Sequence, residues 1–286
     1  MITYQEEITS LQNPKIKSIV KWRDRPGRDD ANTVIIEGYR ALTRALAGNY
    51  PVNEVFVCPE LFQGEHEDEL LARLAARGAR MILVSRLAFL KIAYRDRPEG
   101  LLGIGPQIHQ GLDDLPIPEK PALYLVTEQI EKPGNLGTIM RSADATGVNG
   151  LILTDPRTDL YNPNVVRAST GNLFTLPIAE ATPEEAIAWL KSHHIQILAA
   201  SPHAKPLCYD CDLTVPTAFV VGAEQYGLTP IWMDNADITV RLPMLGNADS
   251  LNVSTSAALL LYEVVRQRIA AGIINDPGAV PESADC

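Results

Sequence analysis

Five polar side chains stand where a buried strand hands over to a helix or a glycine loop: Asn135, Arg141, Glu224, Ser250 and Asn252. Polar groups wedged there must find partners, because leaving them unpaired away from water is costly. A parallel sheet also binds its ligand there, outside the carboxyl ends of its strands. An arginine beside the free N–H groups of a helix start concentrates positive charge, which suits a phosphate or a developing oxyanion. Taken alone, Arg141 reads more simply as a surface arginine.

These residues sit in three loops of similar character. The first is PGNLGTIMR, 133–141, in which Leu136, Ile139, Met140 and Ala143 form the apolar stripe and leave Arg141 off the core face. The second is VGAEQYG, 221–227, directly after the apolar run AFVV, where glycine lets backbone approach a ligand closely. The third opens RLPMLGNADSLNVSTSAALLLY, 241–262, where Pro243 cannot continue a central strand. Neither a G-x-G-x-x-G nor a P-loop is present, so the usual dinucleotide and triphosphate sites lose their main support. Of the four cysteines, Cys208 and Cys211 form one C-x-x-C; without a second pair, reduced thiols are expected and no metal.

The elements that position these loops follow from periodicity. Residues 122–272 read as regular α/β, with strands over 122–127, 151–153, 174–177, 195–199, 218–221 and 238–242. Helices fall over 136–145, 163–170, 183–193 and 252–272. Residues 1–105 read as a smaller α/β domain, with helices over 14–24, 39–47, 67–77 and 86–93. Its strands fall over 33–36, 52–57, 81–84 and 101–104, and Glu37-Gly38 is a strand-to-helix junction. Four prolines and an aspartate pair mark 106–121 as a linker, and 273–286 reads as a disordered tail. No apolar run spans a bilayer and no signal-peptide core is evident, so a cytoplasmic protein is expected.

The net charge of −10 is unevenly spread. Residues 1–105 carry 15 Lys and Arg against 14 Asp and Glu, whereas 106–286 carry 10 against 21. Lys15, Lys17, Lys21, Arg23, Arg25 and Arg28 crowd together near the start, and a polyanion is bound by a local patch rather than by average charge. A solvated basic helix accounts for the same run.

Together and in this order, the three loops resemble the SpoU group of the SPOUT superfamily, the RNA 2′-O-ribose methyltransferases. The matching residues are Asn135, Gly137 and Arg141; Gly222, Glu224 and Gly227; and Pro243, Met244, Gly246 and Ser250 to Ser254. The resemblance extends to VRASTGNLFTLP, 166–177, and spans essentially all of 122–270. In the first domain it is carried by NPKIK and IIEGYRAL alone, which are similar to the SpoU substrate-binding domain, a ribosomal-protein-like RNA binder. Ala223, Gln225 and Thr255-Ser256 depart from the usual pattern without touching the polar residues expected to act.

The resemblance implies a small α/β RNA-binding domain followed by a parallel-sheet SPOUT methyltransferase domain with a trefoil knot. It implies S-adenosylmethionine as cofactor, with Gly222, Leu242 and Leu251 lining the adenosine and Ala223, Met244 and Asn252 close by. Arg141 would act at a ribose 2′-hydroxyl, with Asn135, Glu224, Ser250 and Asn252 positioning it and the RNA. A guanidinium is not deprotonated in proteins, so Arg141 is expected to stabilise charge rather than take the proton. The family also implies a homodimer packed through the catalytic domain and its final helix. Structured RNA is the expected substrate, ribosomal RNA of the 23S type ahead of tRNA, because a separate N-terminal domain suits docking onto a folded target. A non-catalytic RNA binder retaining the knot is the reading from a different class.

Overall fold

The computed structural model describes residues 2–223 and 225–275. Its first sheet has five strands: β1 (Glu6–Ile8), β2 (Thr33–Glu37), β3 (Glu54–Val57), β4 (Arg80–Val84) and β5 (Leu101–Pro106). Their order is β1-β4-β3-β5-β2, with β5 antiparallel to both neighbours and the other pairs parallel. Helices α1 (Pro14–Lys21), α2 (Arg25–Asp30), α3 (Tyr39–Ala47), α4 (Glu67–Ala76) and α5 (Arg86–Ile92) complete this half. Side chains alternate across a strand, and both faces here are apolar. Val34, Val55, Met81 and Leu101 meet α3 and α4, while Ile35, Phe56, Ile82 and Leu102 meet α1 and α5.

The second sheet has six strands: β6 (Leu123–Glu128), β7 (Gly150–Thr154), β8 (Ile178–Ala181), β9 (Gln196–Ala200), β10 (Thr217–Val221) and β11 (Ile238–Val240). Their order is β11-β9-β10-β6-β7-β8, and every adjacent pair is parallel. The helices are α6 (Pro133–Ala145), α7 (Pro163–Ala168), α8 (Pro183–Ser192), α9 (Pro230–Asn235) and α10 (Val253–Ala270). Leu125, Phe219 and Val221 pack beneath α6 and α10, while Tyr124, Val126 and Val220 pack on the α8 and α9 side with Trp189 and Trp232. Near its end α10 buries Arg268, which donates to the carbonyls of Leu213, Val215, Pro121 and Ala122 at 2.6–3.1 Å. These carbonyls lead into β10 and β6, so the guanidinium fastens the helix to the amino ends of the two central strands. No helix among the described residues is long and apolar enough to cross a membrane.

The structure corrects several sequence expectations. The strand expected over 174–177 is instead a 3₁₀ turn, Asn172–Phe174, with β8 starting at Ile178. The apolar side chains of that stretch are used between the two halves: the Phe174 ring lies edge-on to Tyr50, with centroids 4.7 Å apart. A Cβ on Gly48 would come within 1.9 Å of the Phe174 carbonyl oxygen, so only glycine permits this contact. β1, α2 and α9 were missed because each is short: three residues of edge strand, then RPGRDD and PIWMDN, neither long enough to show a period. Residues 276–286, most of the expected tail, lie outside the described residues.

The two halves are also joined by charge. Arg28, expected to contact RNA, is 1% exposed; it donates to the carbonyls of Trp22 and Arg23 and pairs with Asp159. Asn164 donates to the Tyr94 hydroxyl at 2.8 Å across the same junction. The 106–121 stretch is pinned rather than loose: Ile108 N–H donates to the Tyr161 hydroxyl at 2.8 Å, and Tyr124 donates to the Pro116 carbonyl. Removing one partner of a buried pair strands the other charge, so Arg28→Ala is expected to cost about 3–5 kcal/mol in urea unfolding. The double variant Arg28→Ala/Asp159→Ala should lose less than the two single losses added; strict additivity would show that the pair does not couple the halves.

Candidate active site

β6 ends at Glu128 and α6 opens at Pro133, whose ring suits the first helical position. Leu136, Ile139, Met140 and Ala143 are buried, as their spacing implied. Gly134, Thr138 and Arg141, spaced four and three apart, share the exposed side. Gly137 lies where α6 crosses α7: a Cβ there would fall 2.5 Å from the Ala168 Cβ and 2.8 Å from the Ser169 nitrogen. The glycine of the N-x-G motif is therefore a packing requirement.

Asn252 caps α10, its Oδ1 accepting from Ser254 N–H at 2.9 Å and from the Ser254 hydroxyl at 2.6 Å. Its Nδ2 donates to Oδ1 of Asn135 at 3.1 Å. The first and third loops, 117 residues apart, thus meet side chain to side chain. Arg141 follows on the helix that carries Asn135, six residues or about 9 Å further along its axis. Arg141 and Ser250 are exposed, and among the described residues no ion pair engages Arg141.

The second loop follows β10 and folds back on itself. A Cβ on Gly222 would meet the Gly227 carbonyl carbon and oxygen at 2.4 Å, and Gly227 N–H donates to the Ala223 carbonyl at 2.9 Å. Gly227 has φ +70°, a conformation that glycine adopts at no steric cost. Glu224 lies outside the described residues. The far end of the loop is tied to the neighbouring strand by Glu128, 1% exposed, which accepts from Thr229 N–H at 2.8 Å and Thr229 Oγ1 at 2.6 Å. Glu128 was not among the sequence-derived candidates. The signal was available as a single carboxylate ending an apolar strand.

The third loop leaves β11 with Leu242, Pro243 and Met244 half-buried, and from Leu245, 98% exposed, to Asn252 it is open to solvent. Ala223 is buried, Gly222 is half-buried and Leu251 is 38% exposed, so the apolar side chains form a partly open rim. The structure brings Asn135 to Asn252 and binds Glu128 to the second loop.

Residues 122–262 match the model of the SpoU rRNA Methylase family, and residues 13–103 match the MRM3-like substrate binding domain. A Streptomyces viridochromogenes 23S rRNA (uridine(2479)-2′-O)-methyltransferase is 32% identical over 263 residues, covering 89% of this chain and 90% of its own. The chain belongs to the SpoU rRNA methylase family. Another SpoU relative, the Bacillus subtilis 23S rRNA (guanosine(2553)-2′-O)-methyltransferase RlmP, is 26% identical, covering 91% of this chain and 99% of its own. The crystal structure of an AdoMet-bound rRNA methyltransferase from Sinorhizobium meliloti superposes with a TM-score of 0.82 at 31% identity, covering 91% of this chain and 97% of that one.

Within this SpoU chain the basic run near the N-terminus is only partly free. Besides Arg28, Arg23 is spent internally, donating to the carbonyls of Lys91 and Ala93, and Lys15 pairs with Glu6 at 2.9 Å and Glu54 at 2.6 Å. Lys17, Lys21 and Arg25 remain exposed, Arg25 alongside Asp29 at 3.2 Å. The run carries acids of its own, and α1 is anchored by the same cations that make it look basic. In the C-x-x-C, burial pushes the Cys208 thiol up to about 11, which leaves it a poor nucleophile. Among the described residues no three His, Cys, Asp or Glu side chains are grouped to hold a metal ion.

Glu128→Gln tests the tie between strand and loop. Hydrogen bonds to a charged acceptor contribute about 1.5–3 kcal/mol against about 0.5–1.5 for neutral ones, so amide exchange over residues 225–229 should quicken roughly tenfold. Unchanged exchange there would mean that the loop is held by something else.

Proposed function

We propose that this protein is an S-adenosylmethionine-dependent methyltransferase acting on a ribose 2′-hydroxyl of ribosomal RNA. The observation that carries the reading is the Asn252–Asn135 contact, which gathers two of the motif loops at one end of the parallel sheet. The names of the Streptomyces and Bacillus relatives support 23S rRNA as the substrate class, and they differ in the base at the target. The bound AdoMet in the Sinorhizobium structure supports the cofactor. A trefoil knot, drawn through the second and third loops, goes with membership of this family.

The residues present suit that cofactor. Gly222, Ala223, Leu242, Met244, Leu251 and Asn252 would hold it, since glycine-shaped backbone beside a partly open apolar rim fits a nucleoside better than a highly charged ligand. Bound, S-adenosylmethionine supplies an electrophilic methyl on a good leaving group. What remains for the chain is to align the hydroxyl and manage its charge. Arg141, cationic on the exposed face of α6, stabilises the forming alkoxide and grips an adjacent phosphate, while the proton leaves by another route. Asn135, Glu224, Ser250 and Asn252 orient the ribose.

Arg141→Ala is expected to lower methyl transfer to a 23S-type transcript about 10²–10³-fold, the loss typical of one charge-stabilising donor, while calorimetry with S-adenosylmethionine stays unchanged. Arg141→Lys distinguishes the two roles: recovery of strong activity only near a lysine pKa would make the residue a base and overturn this one. Failure of the wild type to bind S-adenosylmethionine would favour a non-catalytic RNA binder.

The exposed side of α10 supports a second copy as partner. Leu259, Tyr262 and Ile269 are 43%, 52% and 42% exposed and fall on one stripe, spaced three and seven apart. A homodimer through this helix would cover them. Light scattering should give twice the 31.3 kDa chain mass, and Leu259→Asp/Tyr262→Asp should halve it; a monomeric wild type at micromolar concentration would exclude this interface.

A further inference from the structure

A cavity of about 980 Å³ lies between the two halves, away from the motif loops. Its walls are α3, the turn before α4, the loop after α5 and the end of α7. We propose that this cleft is a subsite for the sugar-phosphate backbone of the RNA, with Arg40, Arg97 and Arg167 as its phosphate contacts. The proposal rests on RNA being the substrate and adds where the strand is gripped outside the reaction centre.

The cleft is built, with Glu37, Glu67 and Glu99 committed to structure and Glu65 and Asp96 exposed in its wall. Glu37, buried at the end of β2, accepts from Tyr94 N–H at 2.8 Å and Arg95 N–H at 3.2 Å, fixing the loop that carries Arg97. Burial raises the Glu37 carboxyl above its usual range, opposed by those two N–H groups. Glu99 accepts from Tyr39 N–H at 2.8 Å and pairs with Arg95, whose guanidinium lies over Gly38. A Cβ there would come within 2.7 Å of that guanidinium, and Gly38 has φ +97°. Glu67 is occupied by Gln63 and Gly64 N–H at 3.1 and 2.8 Å. The junction read from IIEGYRAL as a strand-to-helix turn is therefore the floor of a cavity.

Against these spent carboxylates stand three exposed guanidinia. Among the described residues, no ion pair or side-chain hydrogen bond engages Arg40, Arg97 or Arg167. They come from both halves of the chain, so one polyanion crossing the junction can meet all three. Small-molecule pockets carry few charged groups, whereas this one has four guanidinia, Arg40, Arg95, Arg97 and Arg167, in its wall beside its carboxylates. Arg167 sits on α7, which packs through Gly137 against α6, the helix of Arg141.

The test uses the full-length protein and a 23S-type rRNA transcript, with binding measured against salt. Each lost phosphate contact should flatten the slope of log K against log salt by about 0.7–0.9, so Arg40→Gln/Arg97→Gln/Arg167→Gln should flatten it by roughly 2 or more. Affinity for the transcript should fall at least about tenfold while S-adenosylmethionine affinity is unchanged, and the corresponding triple lysine variant should recover most of the slope. An unchanged slope overturns the subsite. So does a defect seen only on intact ribosomal subunits and not on the transcript, which would make the cleft a protein dock. Methyl transfer by the wild type alongside an unchanged slope removes the cleft and leaves the enzyme standing. A flattened slope in a protein that binds no S-adenosylmethionine does the reverse.

Discussion

The side-chain bond between Asn252 and Asn135 is the point on which the site depends, and it is weak. An exposed neutral hydrogen bond contributes about 0.5–1.5 kcal/mol, too little to bring two distant loops together. The work of approach is done by the apolar faces of α6 and α10, where Leu136, Ile139 and Met140 meet Ala257, Leu260, Leu261 and Val264 in one core. Each such large side chain contributes about 1.5–3 kcal/mol on burial, so the helix pair sets distance and the asparagines set orientation. The same division holds at Glu128, where an apolar strand fixes position and one carboxylate fixes the loop.

Much of this was legible in the sequence because the strands are buried on both faces. Continuous apolar runs such as AFVV announce themselves, and Gly222 directly after that run marks the turn. The role of Gly137 was not legible, since nothing in PGNLG distinguishes a glycine that meets a ligand from one that meets the backbone of α7. Phe174 misled for a related reason: its apolar neighbours read as a strand, yet they are used to join the two halves. Short elements such as β1 and α9 are fixed by tertiary contacts and leave no local period.

Charge was read least well. Six cations between Lys15 and Arg28 looked like one patch, but Lys15, Arg23 and Arg28 each face inward to an acid or to carbonyls. Three arginines without side-chain partners among the described residues, 40, 97 and 167, are dispersed along the chain, and folding alone gathers them in one cleft. Clustering in sequence and clustering in space are separate facts, and a charge is available only after its neighbours have been counted.

α10 is fastened at both ends: Asn252 at the carboxyl edge of the sheet, and Arg268 on carbonyls leading into β6 and β10. Both fasteners reach residues more than a hundred positions earlier. Domains generally fold as units during synthesis, and contacts of such long sequence separation form slowly. Until α10 has docked, both fasteners are missing and the third loop is not held against the first.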